Sequence, residues 1–100
     1  MRRAGTIQLW WGEGIGEIWE ATLDGVTLES NPAPLHALWY VLETTLRERG
    51  CTRAYTLARD PTFPNNTYPN DTYQAFLRER GYQPSEKHAH RTHLAWVKVL

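Results

Sequence analysis

One amphipathic stretch restricts the architecture of this chain more than any other feature. Leu35, Leu38, Trp39, Leu42 and Leu46 recur at helical spacing, and Arg47, Arg49 and Gly50 close the run. The cations complement the carboxyl end of a helix dipole, and the glycine supplies the positive φ that ends a helix. β-patterned segments flank it, Glu17 to Leu23 before and Cys51 to Ala58 after. A helix joining two strands of one sheet has to cross over that sheet, so part of the sheet is parallel.

The remaining elements follow from period and punctuation. Thr6 to Trp11 reads as a strand with Ile7, Leu9 and Trp11 on one face. Glu17 to Leu23 reads as a second, placing Trp19, Ala21 and Leu23 on one side and Ile18, Glu20 and Thr22 on the other. Asp24-Gly25 is a two-residue hairpin signal, so Val26 to Glu29 is expected to return as a third strand. Ser30 or Asn31 is expected to cap the long helix, with Pro32 in its first turn. The proline-rich run Arg59 to Pro69 reads as a loop. Asn70 or Asp71 then caps a second helix, with Tyr73, Phe76 and Leu77 inward and Gly81 at its end. Tyr82 to His88 and Thr92 to Leu100 close the chain as a strand pair.

The expected fold is α/β (α+β): a mixed, mostly antiparallel sheet with two helices in the order β-β-β-α-β-α-β-β. At 100 residues it forms one domain spanning 1–100. The pentapeptide Leu-Arg-Glu-Arg-Gly occurs at 46–50 and again at 77–81, each time at an expected helix end. Shared helix-ending chemistry explains the repetition, and no further copy suggests a solenoid.

Composition narrows the function. Eleven basic residues balance eleven acidic ones, which disfavours a nucleic-acid binder, since phosphate contact needs a basic excess. Acids outnumber bases in the first half, and the reverse holds in the second. No run approaches the ~20 apolar residues of a membrane span. Met1-Arg2-Arg3 is not followed by the apolar core of a signal peptide, so a cytoplasmic setting is expected. The single cysteine, Cys51, reads as packed rather than reactive.

Several residues merit a functional reading. Gly12-Glu13-Gly14-Ile15-Gly16 is glycine-rich, but a strand follows, so a turn or bulge is favoured over a phosphate loop. His88, His90 and His93 cluster near the C-terminus; exposed turn histidines are favoured over metal ligands. His36, in the first turn of the long helix, reads as a surface or capping residue before a base. The five Trp and five Tyr suit half-exposed packing, and Trp10, Trp11 and Trp19 read first as sheet core. Adjacent Trp10 and Trp11 must point to opposite faces, so one needs helix cover or a partner.

From Pro34 to Leu100 the layout resembles the GNAT family of N-acetyltransferases. The long helix ends at Gly50, a strand and loop follow, and Asn70 and Gly81-Tyr82 fall at the spacing of the family's next helix. The resemblance implies a minimal GNAT-like domain, with acetyl-CoA as cofactor. It carries the cofactor-binding positions onto Asn31, Ala33, Leu35 and Asn70. It suggests Glu20 as general base and Tyr73 as proton donor. The family's pyrophosphate loop is glycine-rich, whereas the junction in this chain is Ser30-Asn31-Pro32-Ala33-Pro34-Leu35. The family's frequent tyrosine falls on Leu77, one turn after Tyr73. These departures favour a GNAT-fold protein without full transferase chemistry, acting on a protein partner or as a homo-oligomer through an aromatic surface. The alternative is a minimal acetyl-CoA-dependent N-acetyltransferase. A ribonuclease-H-like sheet begins in the same order but needs carboxylates that Thr6 to Trp11 lacks.

Overall fold

A computed structural model describes residues 4–57, 71–85 and 94–100. The elements run β1 (Gly5–Gly12), β2 (Ile15–Leu23), α1 (Ala33–Glu48), β3 (Arg53–Leu57), α2 (Asp71–Glu79), β4 (Gln83–Pro84) and β5 (Leu94–Val99). Together they form a mixed five-stranded sheet in the order β1-β2-β3-β5-β4. β2 and β3 are parallel, as the α1 crossover requires, and the other three pairings are antiparallel.

The first hairpin forms at Glu13-Gly14. Both residues have positive φ, 54° and 82°, the geometry of a type I′ turn. The glycine-rich run is thus a tight turn, as its β context suggested. Asp24-Gly25 also turns, with Gly25 at φ 77°, but the expected strand over 26–29 does not form. Val26 and Leu28 pack on the core instead, and Thr27 to Asn31 curls into a local turn that leads into α1. Burying two apolar side chains under the sheet outweighs extending a four-residue edge strand.

A bulge corrects the expected face of β2. Gln8 pairs with Glu20 and Leu9 with Ile18, which leaves Trp19 as an extra residue. The alternation shifts there. Ile18, Ala21 and Leu23 therefore share the helix-covered face, where strict alternation would have separated Ile18 from the others.

Both helices pack on that one face. Leu35, Trp39, Leu42 and Leu46 of α1 are buried with Tyr73, Phe76 and Leu77 of α2. Trp39 meets Phe76 and Tyr82 edge-on, at ring separations of 5.5 and 5.7 Å, a favourable arrangement for aromatic quadrupoles. Trp39 and Trp96 are core residues. Trp10 and Trp11, expected in the core, are both exposed, and they do point to opposite faces. Trp11 lies on the helix side under the Arg49 guanidinium, 5.3 Å away. Gly16 lies so close to α1 that a Cβ there would meet Leu46 at 2.5 Å. That close approach seats α1 against the parallel strand pair.

Candidate functional site

The amino end of α1 follows the strand that leads into the crossover, and its backbone is largely engaged. Neither Ser30 nor Asn31 caps the helix. Pro32 takes that place without a side-chain hydrogen bond. Ser30 turns back on Thr27 instead. Its hydroxyl accepts from the Thr27 amide at 3.2 Å, and its own amide donates to Thr27 Oγ1 at 3.1 Å. The Asn31 amide donates to the Thr27 carbonyl at 3.1 Å. Pro32 and Pro34 have no amide hydrogen, and the His36 amide closes the first helical bond onto the Pro32 carbonyl. Ala33 and Leu35 are the amide donors left to the first turn, and the Leu35 side chain is buried in the core.

The described parallel pairing ends close by. β2 and β3 are paired from Ile15–Arg53 to Ile18–Thr56, yet β2 continues to Leu23. The last pair, Ile18–Thr56, lies beside the Trp19 bulge, and the described part of β3 ends at Leu57. A bulge bends its strand and raises the local twist. Trp19 holds its indole N–H against the Glu17 carboxylate at 3.0 Å.

Glu20 and Tyr73 stand on opposite sides of the sheet. Ala21 is in the helix-covered core, so its neighbours Glu20 and Thr22 face away from it. The Thr22 hydroxyl reaches the Glu20 carboxylate at 3.4 Å. Tyr73 is buried on the helix side, and its hydroxyl shares a 3.1 Å hydrogen bond with the Thr56 hydroxyl. Asn31 and Ala33 are exposed at the α1 entry. Asn70 and the three histidines His88, His90 and His93 lie outside the described residues. Among the described residues no group of three metal-ligating side chains converges. No described helix is long and apolar enough to cross a membrane.

A groove of about 390 Å³ opens between the 28–32 turn and α2. Leu28, Pro32 and Phe76 line it together with His36, Asp71 and Glu79. His36 links it to a buried polar cluster around Glu43. Glu43, on α1, is buried and is approached by three donor side chains, Arg80 through both Nε and Nη2. Arg80 Nε donates at 3.1 Å, Lys98 Nζ at 3.0 Å and the Tyr82 hydroxyl at 2.9 Å. Burial alone would raise the Glu43 carboxyl. The hydrogen bonds from Arg80, Lys98 and Tyr82 and the Arg80 charge outweigh that and hold it below its ordinary value. Burial, and then the Glu43 charge, pushes the Tyr82 hydroxyl well above its ordinary range.

Arg80 also defines His36. Its guanidinium donates to the His36 carbonyl at 3.2 Å and contacts Nδ1 at 3.1 Å. A guanidinium has no acceptor, so Nδ1 must accept and the imidazole proton sits on Nε2. Nε2 faces the Glu79 carboxylate at 3.3 Å. With both nitrogens engaged, His36 orients Glu79 at the groove rim. No local pattern in the sequence announces this chain from Glu43 to Glu79 beyond the charged second copy of Leu-Arg-Glu-Arg-Gly. Cys51 is buried, and burial pushes its thiol up, as suits a packed side chain.

The chain matches no protein-family model, and neither a curated protein nor a solved structure resembles it significantly.

Proposed function

We propose that this chain is a pared-down domain of the GNAT type that acts by binding protein, without acetyl transfer. The layout supporting the GNAT reading is a parallel pair joined by a helix, a second helix and two closing strands. The observation that carries the loss of chemistry is the 27–35 segment. Gripping a pyrophosphate takes several free N–H groups converging at a helix start. In this chain Thr27, Ser30 and Asn31 bond among themselves, and two prolines contribute none. The proton-donor candidate is equally withdrawn, since the Tyr73 hydroxyl is bonded to Thr56 in the core. Asp71 and Glu79 at the neighbouring groove would repel a polyphosphate. Calorimetry with acetyl-CoA tests the reading. No saturable heat is expected, and a strong saturable signal would overturn it.

A second reading, a minimal acetyl-CoA-dependent N-acetyltransferase, draws on the end of the parallel pairing. Among the described residues no strand pairs with β2 on that side beyond Ile18–Thr56, which offers backbone to an extended ligand, and Glu20 stands two residues further on. Thermal melting with and without acetyl-CoA separates the two readings. Specific binding raises stability by about 2.7 kcal/mol at a hundredfold excess over Kd. An unmoved Tm at millimolar acetyl-CoA excludes transfer.

A further inference from the structure

We infer that β1 is a self-pairing edge, and that two copies of this chain join through it into one continuous sheet. The inference deepens the protein-binding reading by naming the partner as a second copy.

β1 is the outermost strand of the sheet. The hydrogen bond from the Asp24 amide to the Ala4 carbonyl, 2.8 Å, shows that Ala4 faces β2. In an antiparallel ladder alternate residues direct both backbone groups to the same neighbour. Thr6, Gln8, Trp10 and Gly12 therefore bond to β2. Gly5, Ile7, Leu9 and Trp11 present their N–H and C=O groups outward. Among the described residues no strand meets that edge.

Edges of this kind are ordinarily guarded by charge, proline, shortness or an edge bulge. β1 has eight residues, GTIQLWWG, with no charged side chain and no proline. The bulge lies on β2 and leaves β1 regular. Ile7, Trp10 and Trp11 are 51, 49 and 42% exposed, which places apolar surface on the edge strand. Such an edge selects an extended strand as its occupant, because only a strand satisfies alternating backbone groups.

The edge is also complementary to itself. Antiparallel pairing about a two-fold axis at Gln8 sets Gly5 opposite the partner's Trp11 and Ile7 opposite the partner's Leu9. Every outward residue then has a hydrogen-bonded partner. On the helix side Ile7 meets Leu9, and each Trp11 lies over a glycine rather than another bulky side chain. On the other side Trp10 lies opposite Thr6. With no charge on β1, like meets like without repulsion.

The axis supplies the test. Gln8 would face its own copy as a non-hydrogen-bonded pair, with Cα atoms about 4.5 Å apart, within the reach of a disulfide. The two copies of Thr6 would lie roughly 14 Å apart. Gln8→Cys should crosslink to a dimer under mild oxidation, Thr6→Cys should not, and native Cys51 is buried. Ile7→Pro removes an outward N–H and no bond to β2, so it should yield a folded monomer by light scattering. If Ile7→Pro fails to fold, the crosslinking pair alone decides. A wild-type chain that stays monomeric at every concentration overturns the inference. So does a dimer in which Gln8→Cys crosslinks no better than Thr6→Cys. Acetyl-CoA binding by a chain that still pairs through β1 would sink the proposed function and leave this inference standing.

Discussion

The two copies of Leu-Arg-Glu-Arg-Gly end two helices in the same conformation and then part company. At the first, the Gly50 amide donates to Arg47 O and the Cys51 amide to Leu46 O. At the second, Gly81 donates to Arg78 O and Tyr82 to Leu77 O. Both glycines take positive φ, 86° and 92°, and both leucines are buried. These are two Schellman ends built by the same five residues. The fourth residue separates them. Arg49 is exposed and covers Trp11. Arg80 is turned inward to neutralise Glu43 and to hold His36. Identical local sequence produced identical local geometry, while the neighbours determined what each arginine is for.

The sharpest way to break this comparison is at its buried member. Arg80→Ala strands Glu43 in the interior with Lys98 as its remaining cation. It should cost about 3–5 kcal/mol, read as a shift in the urea midpoint. Glu43→Gln removes the shared anion and should cost a similar amount by the same measurement.

Acid should expose the same asymmetry. The folded Glu43 carboxyl titrates below its ordinary value of 4.5, so the unfolded chain takes up the proton first. Its contribution is therefore present above that value and lost as pH falls through the folded pKa. Wild type should lose stability more steeply than Glu43→Gln on acidification, followed by denaturant titration at stepped pH. Parallel curves would show that Glu43 is not the linked group.

The shared half of the comparison predicts equality. Gly50→Ala and Gly81→Ala each force an L side chain into positive φ, at about 1 kcal/mol. A Cβ at Gly50 meets nothing within 4 Å, and one at Gly81 touches only Lys98 at 3.6 Å. Equal losses would confirm that the two ends are one device used twice. The smallest effect is expected at Arg49→Ala. An exposed cation over an aromatic ring contributes about 0.5–1 kcal/mol. A loss at Arg49 as large as that at Arg80 would erase the distinction.

Much of the architecture was legible along the chain. The stripe from Leu35 to Leu46 is buried where its period placed it, and so are Tyr73, Phe76 and Leu77. The class, a mixed sheet with two helices, follows the expected order apart from the strand after Asp24-Gly25. That miss has a physical cause. Asp24-Gly25 and Glu13-Gly14 are both good turns, and a turn does not by itself bring a strand back. Leu28 instead enters the core and Val26 packs against it. The bulge at Trp19 was equally hidden, because it is a property of two strands in register. The candidate pair Glu20 and Tyr73 came with the GNAT resemblance, and the sheet holds the two on opposite sides.

Helix periodicity, the glycine stops and the obligatory crossover were determined by the sequence alone, because each is a matter of residues within a few positions of one another. Which arginine is buried, which tryptophans are exposed and which backbone groups remain at an edge were decided only in the tertiary structure. Those outcomes depend on desolvation and register between segments as far apart as Glu43 and Lys98. No local pattern encodes the distance between them.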